Sequence, residues 1–222
     1  MTDSRSYTLI TALFAVVLVV SNIAASKVTH FWGLTLDAGT VLFPLSYIFG
    51  DVLTEVYGYA ASRRVIWIGF GSTFLAAATF MVVGALPAAP EWGNQAAYEA
   101  ILGLTPRIVL ASLVAFLVGE FANSFVLAKM KVATEGKWLW MRTIGSTLVG
   151  ELLDTAIFTV IAFWGVFPDS IILPLIVSMY LFKVAVEVVF TPVTYAIVGY
   201  LKKHDRRDVY DRTTNFNPFR MN

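Results

Sequence analysis

The sequence contains no cysteine and, among its 222 residues, only two histidines, His30 and His204. The absence of cysteine excludes disulfide frameworks, thiolate zinc sites and cysteine nucleophiles. Two isolated histidines are too few for a histidine metal cluster. No G-x-x-x-x-G-K-[ST] loop occurs either, so energy from ATP would have to come from another subunit. The sequence therefore predicts neither a cofactor nor a resident metal ion.

Charged residues are scarce as well, because Asp, Glu, Lys and Arg make up 14% of the chain while hydrophobic residues make up 58%. The mean hydropathy of +0.73 lies outside the range of soluble domains. The net charge of +1 gives no indication of a nucleic-acid partner. This composition indicates an integral membrane protein that has the lipid bilayer as its main partner.

Six apolar stretches are long enough to cross a hydrocarbon core of roughly 30 Å, which requires about 20 helical residues. They cover residues 7–29, 38–58, 64–86, 106–130, 141–166 and 170–200. The sequence thus predicts an all-α polytopic membrane protein, a bundle of six transmembrane helices within residues 1–202. The connection 87–105 could hold a short interfacial helix or cap a site.

Basic residues are concentrated on one side of the predicted bundle. Thirteen of the 16 Lys and Arg residues lie in the N-terminus, the second loop, the fourth loop or the C-terminal tail. Because Lys and Arg near span ends are retained on the cytoplasmic side, both termini are predicted to be cytoplasmic. Residues 203–222 form a charged tail, which we interpret as a solvated or membrane-surface segment.

Ionisable and polar residues inside the spans are the most informative feature. A charge at mid-bilayer costs at least about 2.5–3.5 kcal/mol and is tolerated when it is paired or faces an interior cavity. Spacings of three or four residues place the members of each group on one helical face. The groups are Tyr47, Asp51 and Glu55 on span two, Glu120 and Asn123 on span four, Glu151, Asp154 and Thr155 on span five, and Lys183 and Glu187 on span six.

These polar faces are expected to meet inside the bundle, since members of all four groups lie about 15–21 Å along their spans at 1.5 Å per residue. A wet or ligand-filled cavity would satisfy them. Lys183 and Glu187 could alternatively form an ion pair within their own helix. The other carboxyls would then lack a cationic partner, so that either several are protonated or a ligand or proton pathway uses them.

A weak repeat links three of the spans. The segments FGDVLTE (49–55), VGEFANS (118–124) and VGELLDT (149–155) share a glycine, an acid and a polar residue three positions later. Glycine permits close approach between helices, which would place the following acid beside a neighbour. Chance within a restricted alphabet is the alternative explanation.

The chemistry of these residues favours solute transport. Neither histidine lies within the polar interior, which disfavours an intramembrane hydrolase, and six short helices form a pore only if the protein oligomerises. Carboxylates beside amides and aromatic rings suit a neutral or weakly basic planar ligand such as a nucleobase. Phe43, Tyr47 and Phe158 are candidates for stacking on such a ring, and Asn22 and Lys27 lie toward the outer end of span one.

Four segments resemble the queuosine-precursor transporter family, also grouped as vitamin uptake transporters. They are NIAASK (22–27), FGDVLTEVYG (49–58), GEFANS (119–124) and RTIGSTLVGELLDT (142–155), and the resemblance covers residues 7–202. It implies a six-helix importer of the bacterial inner membrane, similar in fold to the substrate-binding subunits of energy-coupling-factor transporters. The implied small-molecule substrates are the deazapurines 7-cyano-7-deazaguanine and 7-aminomethyl-7-deazaguanine.

The resemblance makes nine residues candidates for the substrate pocket: Asn22, Lys27, Asp51, Glu55, Glu120, Asn123, Glu151, Asp154 and Thr155. The polar faces add Tyr47, Lys183 and Glu187. Glu120 or Glu151 is expected to bind the guanine-like edge, with Asn123 on the carbonyl side. The predicted function is a facilitator or proton-coupled importer. The alternatives are a substrate-binding subunit of a multi-subunit vitamin-type transporter and a non-transporting membrane scaffold, and a homo-oligomer stays open.

Overall fold

The apolar stretches of the sequence form long helices, because a helix satisfies its backbone N–H and C=O groups internally in a medium without water. A computed structural model describes residues 4–31, 34–103 and 106–220. The elements in chain order are α1 (Arg5–Ala24), β1 (Val28–Phe31), β2 (Leu34–Asp37), a 3-10 helix (Ala38–Val41), α2 (Phe43–Val52), a π-helix (Leu53–Tyr57), α3 (Tyr59–Gly84), α4 (Gln95–Leu102), α5 (Pro106–Ala133), α6 (Leu139–Phe163) and α7 (Asp169–His204).

Five helices within the described ranges are long and apolar enough to cross a membrane, namely α1, α3, α5, α6 and α7. Their bounds agree with the predicted spans to within several residues. The short α4 lies in the long connection where an interfacial helix was considered. The all-helical prediction is thus confirmed for these segments, and the similarity to energy-coupling-factor subunits stays a prediction.

The second predicted span differs from the sequence-based expectation. It consists of the 3-10 helix, the ten-residue α2 and the five-residue π-helix, and the backbone keeps helical dihedral angles where α2 passes into the π-helix. Gly58 ends the segment with φ +83°, a conformation that a residue with a Cβ rarely adopts. The residues before the 3-10 helix form two antiparallel strands, in which Val28 pairs with Asp37. The predicted six full spans are therefore five long helices and one composite helical segment.

Both ends of the chain lie at the same end of the bundle, which we call the basal end. The side chains of Ser4 and Ser6, at the start of α1, donate hydrogen bonds to Asp205, directly after α7. The hydroxyl of Tyr57 donates to the same carboxylate over 2.5 Å. An even number of passes through the bundle explains this arrangement. That the basal end faces the cytoplasm stays a prediction.

The C-terminal tail contacts the basal end, although most of its described residues are exposed or half-exposed, and its interpretation as a solvated or membrane-surface segment stays a prediction. Arg63, buried at the start of α3, donates to the carbonyl oxygens of Asn215 (2.9 Å) and Asn217 (2.8 Å). The indole of Trp67 donates to the carbonyl of Pro218 over 2.8 Å. The tail follows an irregular path, so its carbonyl groups need such external donors.

The outer surface of the bundle is apolar. Leu75 on α3 and Leu173 and Val189 on α7 each expose about two thirds or more of their side chains. Contiguous apolar surface of this kind is unfavourable in water. The arrangement suits lipid as the surrounding medium, with the polar residues directed into the bundle.

Candidate functional site

Two glycines bring α5 and α6 into close backbone contact. A Cβ atom at Gly119 would lie 2.8 Å from the Cβ of Asp154, and one at Gly150 would lie 2.7 Å from the Cβ of Asn123. The Cβ built at Gly119 would also lie 3.1 Å from the carbonyl oxygen of Gly150, and the Cβ built at Gly150 would lie 3.0 Å from the carbonyl oxygen of Gly119. The repeats VGEFANS and VGELLDT therefore cross reciprocally, as an approximate two-fold pair. This confirms the prediction that glycine permits close approach between these helices.

Seven polar side chains meet around this crossing. We call them the inner cluster: Asp51 of α2, Glu120 and Asn123 of α5, Glu151 and Asp154 of α6, and Lys183 and Glu187 of α7. The Nδ2 atom of Asn123 donates to Oδ1 of Asp51 over 3.0 Å. Asp51 also interacts electrostatically with Glu187 and Glu120. The structure thus brings together residues that the sequence places on four separate spans.

Lys183 holds the α6 side of the inner cluster. Its Nζ atom lies 2.6 Å from Oδ2 of Asp154 and 2.9 Å from Oε2 of Glu151. The sequence allowed an ion pair with Glu187 within α7, whereas both ion pairs described for Lys183 cross to α6. The expectation that Glu151 and Asp154 lack a cationic partner is therefore wrong.

Several buried oxygen atoms of the inner cluster have no hydrogen-bond partner among the described residues. They are Oδ2 of Asp51, Oε2 of Glu120, Oδ1 of Asn123 and Oε1 of Glu187, with the hydroxyl of Thr155 on the adjoining turn of α6. Oε2 of Glu151 also accepts no described hydrogen bond, but it lies 2.9 Å from Nζ of Lys183 in an ion pair. An unsatisfied buried polar group costs roughly 1–3 kcal/mol. Four such oxygens in one region mark a place where a proton or a polar ligand would be bound favourably.

Glu55 lies outside the inner cluster, in a second group at the basal end that we call the basal network. The network consists of Glu55, Lys131, Arg142, Lys202 and Asp208. The guanidinium of Arg142 donates twice to the Glu55 carboxylate, over 2.8 and 2.7 Å. Lys202 lies 2.6 Å from the same carboxylate. The prediction that Glu55 lacks a cationic partner is wrong, because three basic side chains surround it.

Arg142 and Lys131 were missed as interior residues, since the sequence assigns them to the basic residues that set orientation. Each side chain is only 1% exposed. The signal that could have identified them is Glu55 itself, because a buried carboxylate that stays ionised is stabilised by a positively charged partner.

The remaining candidate residues have different surroundings. Asn22 donates to the carbonyl of Leu18 in its own helix over 2.8 Å, and Lys27 is exposed before the hairpin. Tyr47 is buried one turn before Asp51. Phe158 packs edge-on against Phe163 at 5.8 Å. The side chain of Phe43, also considered for stacking, lies outside the described residues.

The inner cluster is mostly buried in this conformation, since Asp51 is 0% and Glu151 is 1% exposed, whereas Asp154 and Lys183 keep 24% and 15% of their side chains exposed. A cleft of about 220 Å³ lies elsewhere, between the end of α3 and α4, at the end of the bundle opposite the basal end. Its lining is mainly apolar and includes Val83, Leu86, Trp92, Gln95 and Tyr98. Access to Asp51 and Glu151 therefore requires helices to move apart.

The tail carboxylate of Asp208 gives the basal network a dependence on pH. Partial burial acts to raise the pKa of Asp208, but hydrogen bonds from Lys131 and Lys202 outweigh it and hold that pKa below its ordinary value of 3.8. A group with a lowered folded-state pKa stabilises the fold above its unfolded-state pKa. That stabilisation is lost as the pH falls through the folded-state pKa.

We expect Asp208→Asn to lower the apparent melting temperature in detergent by about 2 °C at pH 7, because Asp208 is partly exposed and such pairs contribute little. The difference between variant and wild type should shrink as the pH falls below 3.8 and should vanish once the pH lies below the lowered folded-state pKa. Asp169→Asn, which removes an exposed carboxylate at the start of α7, serves as the matched control. An equal difference at pH 7 and pH 3 would contradict the assignment.

Comparison with known proteins gives a consistent result. Residues 37–197 match the family model described as "Putative vitamin uptake transporter". The chain is 35% identical over 191 residues to the "Probable queuosine precursor transporter" of Bacillus subtilis (strain 168), a match that covers 85% of this chain and 82% of the relative. It is 26% identical over 164 residues to the "Queuosine precursor transporter" of Escherichia coli (strain K12), covering 72% and 71%. No solved structure matches the chain.

Proposed function

The chain belongs to the vitamin uptake transporter family, and we propose on that premise that it imports queuosine precursors across the bacterial inner membrane. The substrates would be 7-cyano-7-deazaguanine, 7-aminomethyl-7-deazaguanine or both, bound by the inner cluster. The observation that carries this proposal is the set of buried carboxylate and amide oxygens without partners. A guanine-like base offers the donors that these acceptors lack.

The chemistry of the base assigns a role to Glu120. The ring N–H and the amino group of a deazaguanine lie side by side, so one carboxylate can accept both hydrogen bonds. Glu151 is already held by Lys183, whereas Oε2 of Glu120 has no partner among the described side chains. Glu120 is therefore the better candidate for this edge, and the amide of Asn123, one turn further along α5, would donate to the ring carbonyl.

Transport requires the inner cluster to open toward each side in turn. The segment that we expect to move comprises α2 and the π-helix, because both are short and they end at a glycine. Protonation of the carboxyls would accompany or replace substrate binding in a proton-coupled importer, whereas a facilitator would need no such coupling.

Replacing Glu120 with glutamine is expected to weaken the binding of 7-cyano-7-deazaguanine to the purified protein by about 10- to 100-fold, the equivalent of one charge-assisted pair of hydrogen bonds. Glutamine keeps the size of the side chain but places an amide donor opposite the ligand's donors. Calorimetric titration in detergent measures the change. Glu91→Gln, the same substitution in an exposed loop, should leave the affinity within about two-fold.

Binding of the bases to the wild-type protein distinguishes a transporter from a membrane scaffold. Binding of the deazapurine by the isolated chain, with no binding of adenine, would support a carrier or a substrate-binding subunit. A folded protein that binds neither base would contradict the proposal and favour a membrane scaffold. Uptake by proteoliposomes that contain this chain alone would then distinguish a standalone importer from a subunit that needs an energising partner.

A further inference from the structure

Asp51 on α2 and Glu187 on α7 are two buried acids for which, as for Glu120, no ion pair is described. Both residues are buried, with 0% and 3% exposure, and the two carboxyls interact electrostatically. Oδ2 of Asp51 and Oε1 of Glu187 have no hydrogen-bond partner among the described residues. Oδ1 of Asp51 is bound by Asn123, a neutral donor that brings no positive charge.

Three other interior acids, Glu55, Glu151 and Asp154, form ion pairs with basic side chains. Glu55 is bound by Arg142, Lys131 and Lys202, and Lys183 lies between Glu151 and Asp154. Two adjacent carboxylates in a low-dielectric interior repel each other and lose hydration, so a cation placed between them would be strongly favoured. A primary ammonium group has three N–H donors, which suits two carboxyl groups with free oxygens.

The order of groups along the ligand matches the order of side chains in the protein. In a 7-deazaguanine, the amino group and ring N–H come first, the ring carbonyl follows, and the substituent on carbon 7 lies beside that carbonyl. In the protein, Glu120 and Asn123 follow each other on α5, Asn123 binds Asp51, and Asp51 interacts electrostatically with Glu187. A base placed with its donor edge on Glu120 and its carbonyl on Asn123 therefore directs its 7-substituent toward Asp51 and Glu187.

We propose that the Asp51–Glu187 pair binds the ammonium group of the 7-aminomethyl substituent, and that the transporter therefore selects the cationic aminomethyl base over the neutral cyano base. This inference rests on the proposed function and assigns it a preferred substrate. The nitrile group of the cyano base carries no N–H donor and no charge, so it leaves both carboxyl groups unsatisfied.

The test is a titration of purified wild type, Glu187→Gln and Asp51→Asn with each of the two bases. We expect wild type to bind 7-aminomethyl-7-deazaguanine at least ten-fold more tightly than 7-cyano-7-deazaguanine. Glu187→Gln should lose at least ten-fold more affinity for the aminomethyl base than for the cyano base. Retained binding of the cyano base also shows that this variant is folded. Asp51→Asn should reduce the same selectivity, and Glu91→Gln should leave it unchanged.

The outcomes distinguish this inference from the proposed function. If wild type binds neither base, both fail. If wild type binds both bases equally well, or if Glu187→Gln weakens both by the same factor, the selectivity role is overturned while deazapurine binding stands. The titration is repeated with choline chloride in place of sodium chloride. Thermal stabilisation of ligand-free wild type by Na⁺, absent in Glu187→Gln, would assign the pair to an inorganic cation and overturn the ammonium assignment.

Discussion

Replacing Arg142 with alanine is expected to destabilise the protein by about 3–5 kcal/mol, the usual cost of leaving a buried charge without its partner. The substitution removes both guanidinium hydrogen bonds from Glu55, which is fully buried. Lys131 and Lys202 stay near the carboxylate, so the lower part of this range is the more realistic expectation. In detergent this corresponds to a fall of roughly 10 °C in apparent melting temperature.

The matched control is Arg64→Ala, because Arg64 is a basic residue at the same basal end of α3 but is exposed. It should change the melting temperature by less than about 2 °C. The double variant Arg142→Ala/Glu55→Gln should be more stable than the sum of the two single losses predicts, with a coupling of about 2 kcal/mol or more. Additive losses would mean that the two side chains do not stabilise each other.

The sequence predicted the long helices because their signal is local. Each apolar stretch is sufficient to identify a helix, and the repeated glycines predicted close approach to a neighbouring helix without identifying which helix it would be. The ion pairs could not be predicted in the same way, because Glu55 and Arg142 are 87 residues apart in the chain. Lys131 and Arg142 lie at span ends, where the positive-inside rule already accounts for basic residues. Nothing in the sequence therefore indicated that they also neutralise a buried acid.

The second predicted span shows a different limit. Its composition is as apolar as that of the other spans, and a hydropathy argument has no means of distinguishing one α-helix from a 3-10 helix, α2 and a π-helix in succession. The segment ends at Gly58 in contact with the tail, since a Cβ at this position would lie 2.7 Å from Val209 and 3.3 Å from Asp211. Asp51 and Glu55 both lie in this segment but belong to separate groups, the inner cluster and the basal network.

Replacing Gly150 with alanine is expected to cost about 3 kcal/mol and to reduce deazapurine binding at least ten-fold. The added methyl group would lie 2.7 Å from the Cβ of Asn123 and 3.0 Å from the carbonyl oxygen of Gly119, distances that force the two helices apart. Such a shift moves Asn123 away from Asp51, and therefore disturbs the side chain assigned to the ring carbonyl. Melting temperature and calorimetric titration measure the two effects separately.

Gly199→Ala on α7 and Gly71→Ala on α3 are the matched controls, because no atom lies within 4 Å of a Cβ built at either position. Both should leave stability unchanged or raise it by up to about 1 kcal/mol, since alanine is the better helix former. Gly119→Ala should resemble Gly150→Ala, because the close contacts of the two glycines are reciprocal. Once one methyl group has separated the helices, the second finds space already open, so the double variant should lose less than the sum of the single losses. A double variant with strictly additive losses would contradict a shared crossing point, and with it the argument that this crossing positions Asn123 and Asp154 together.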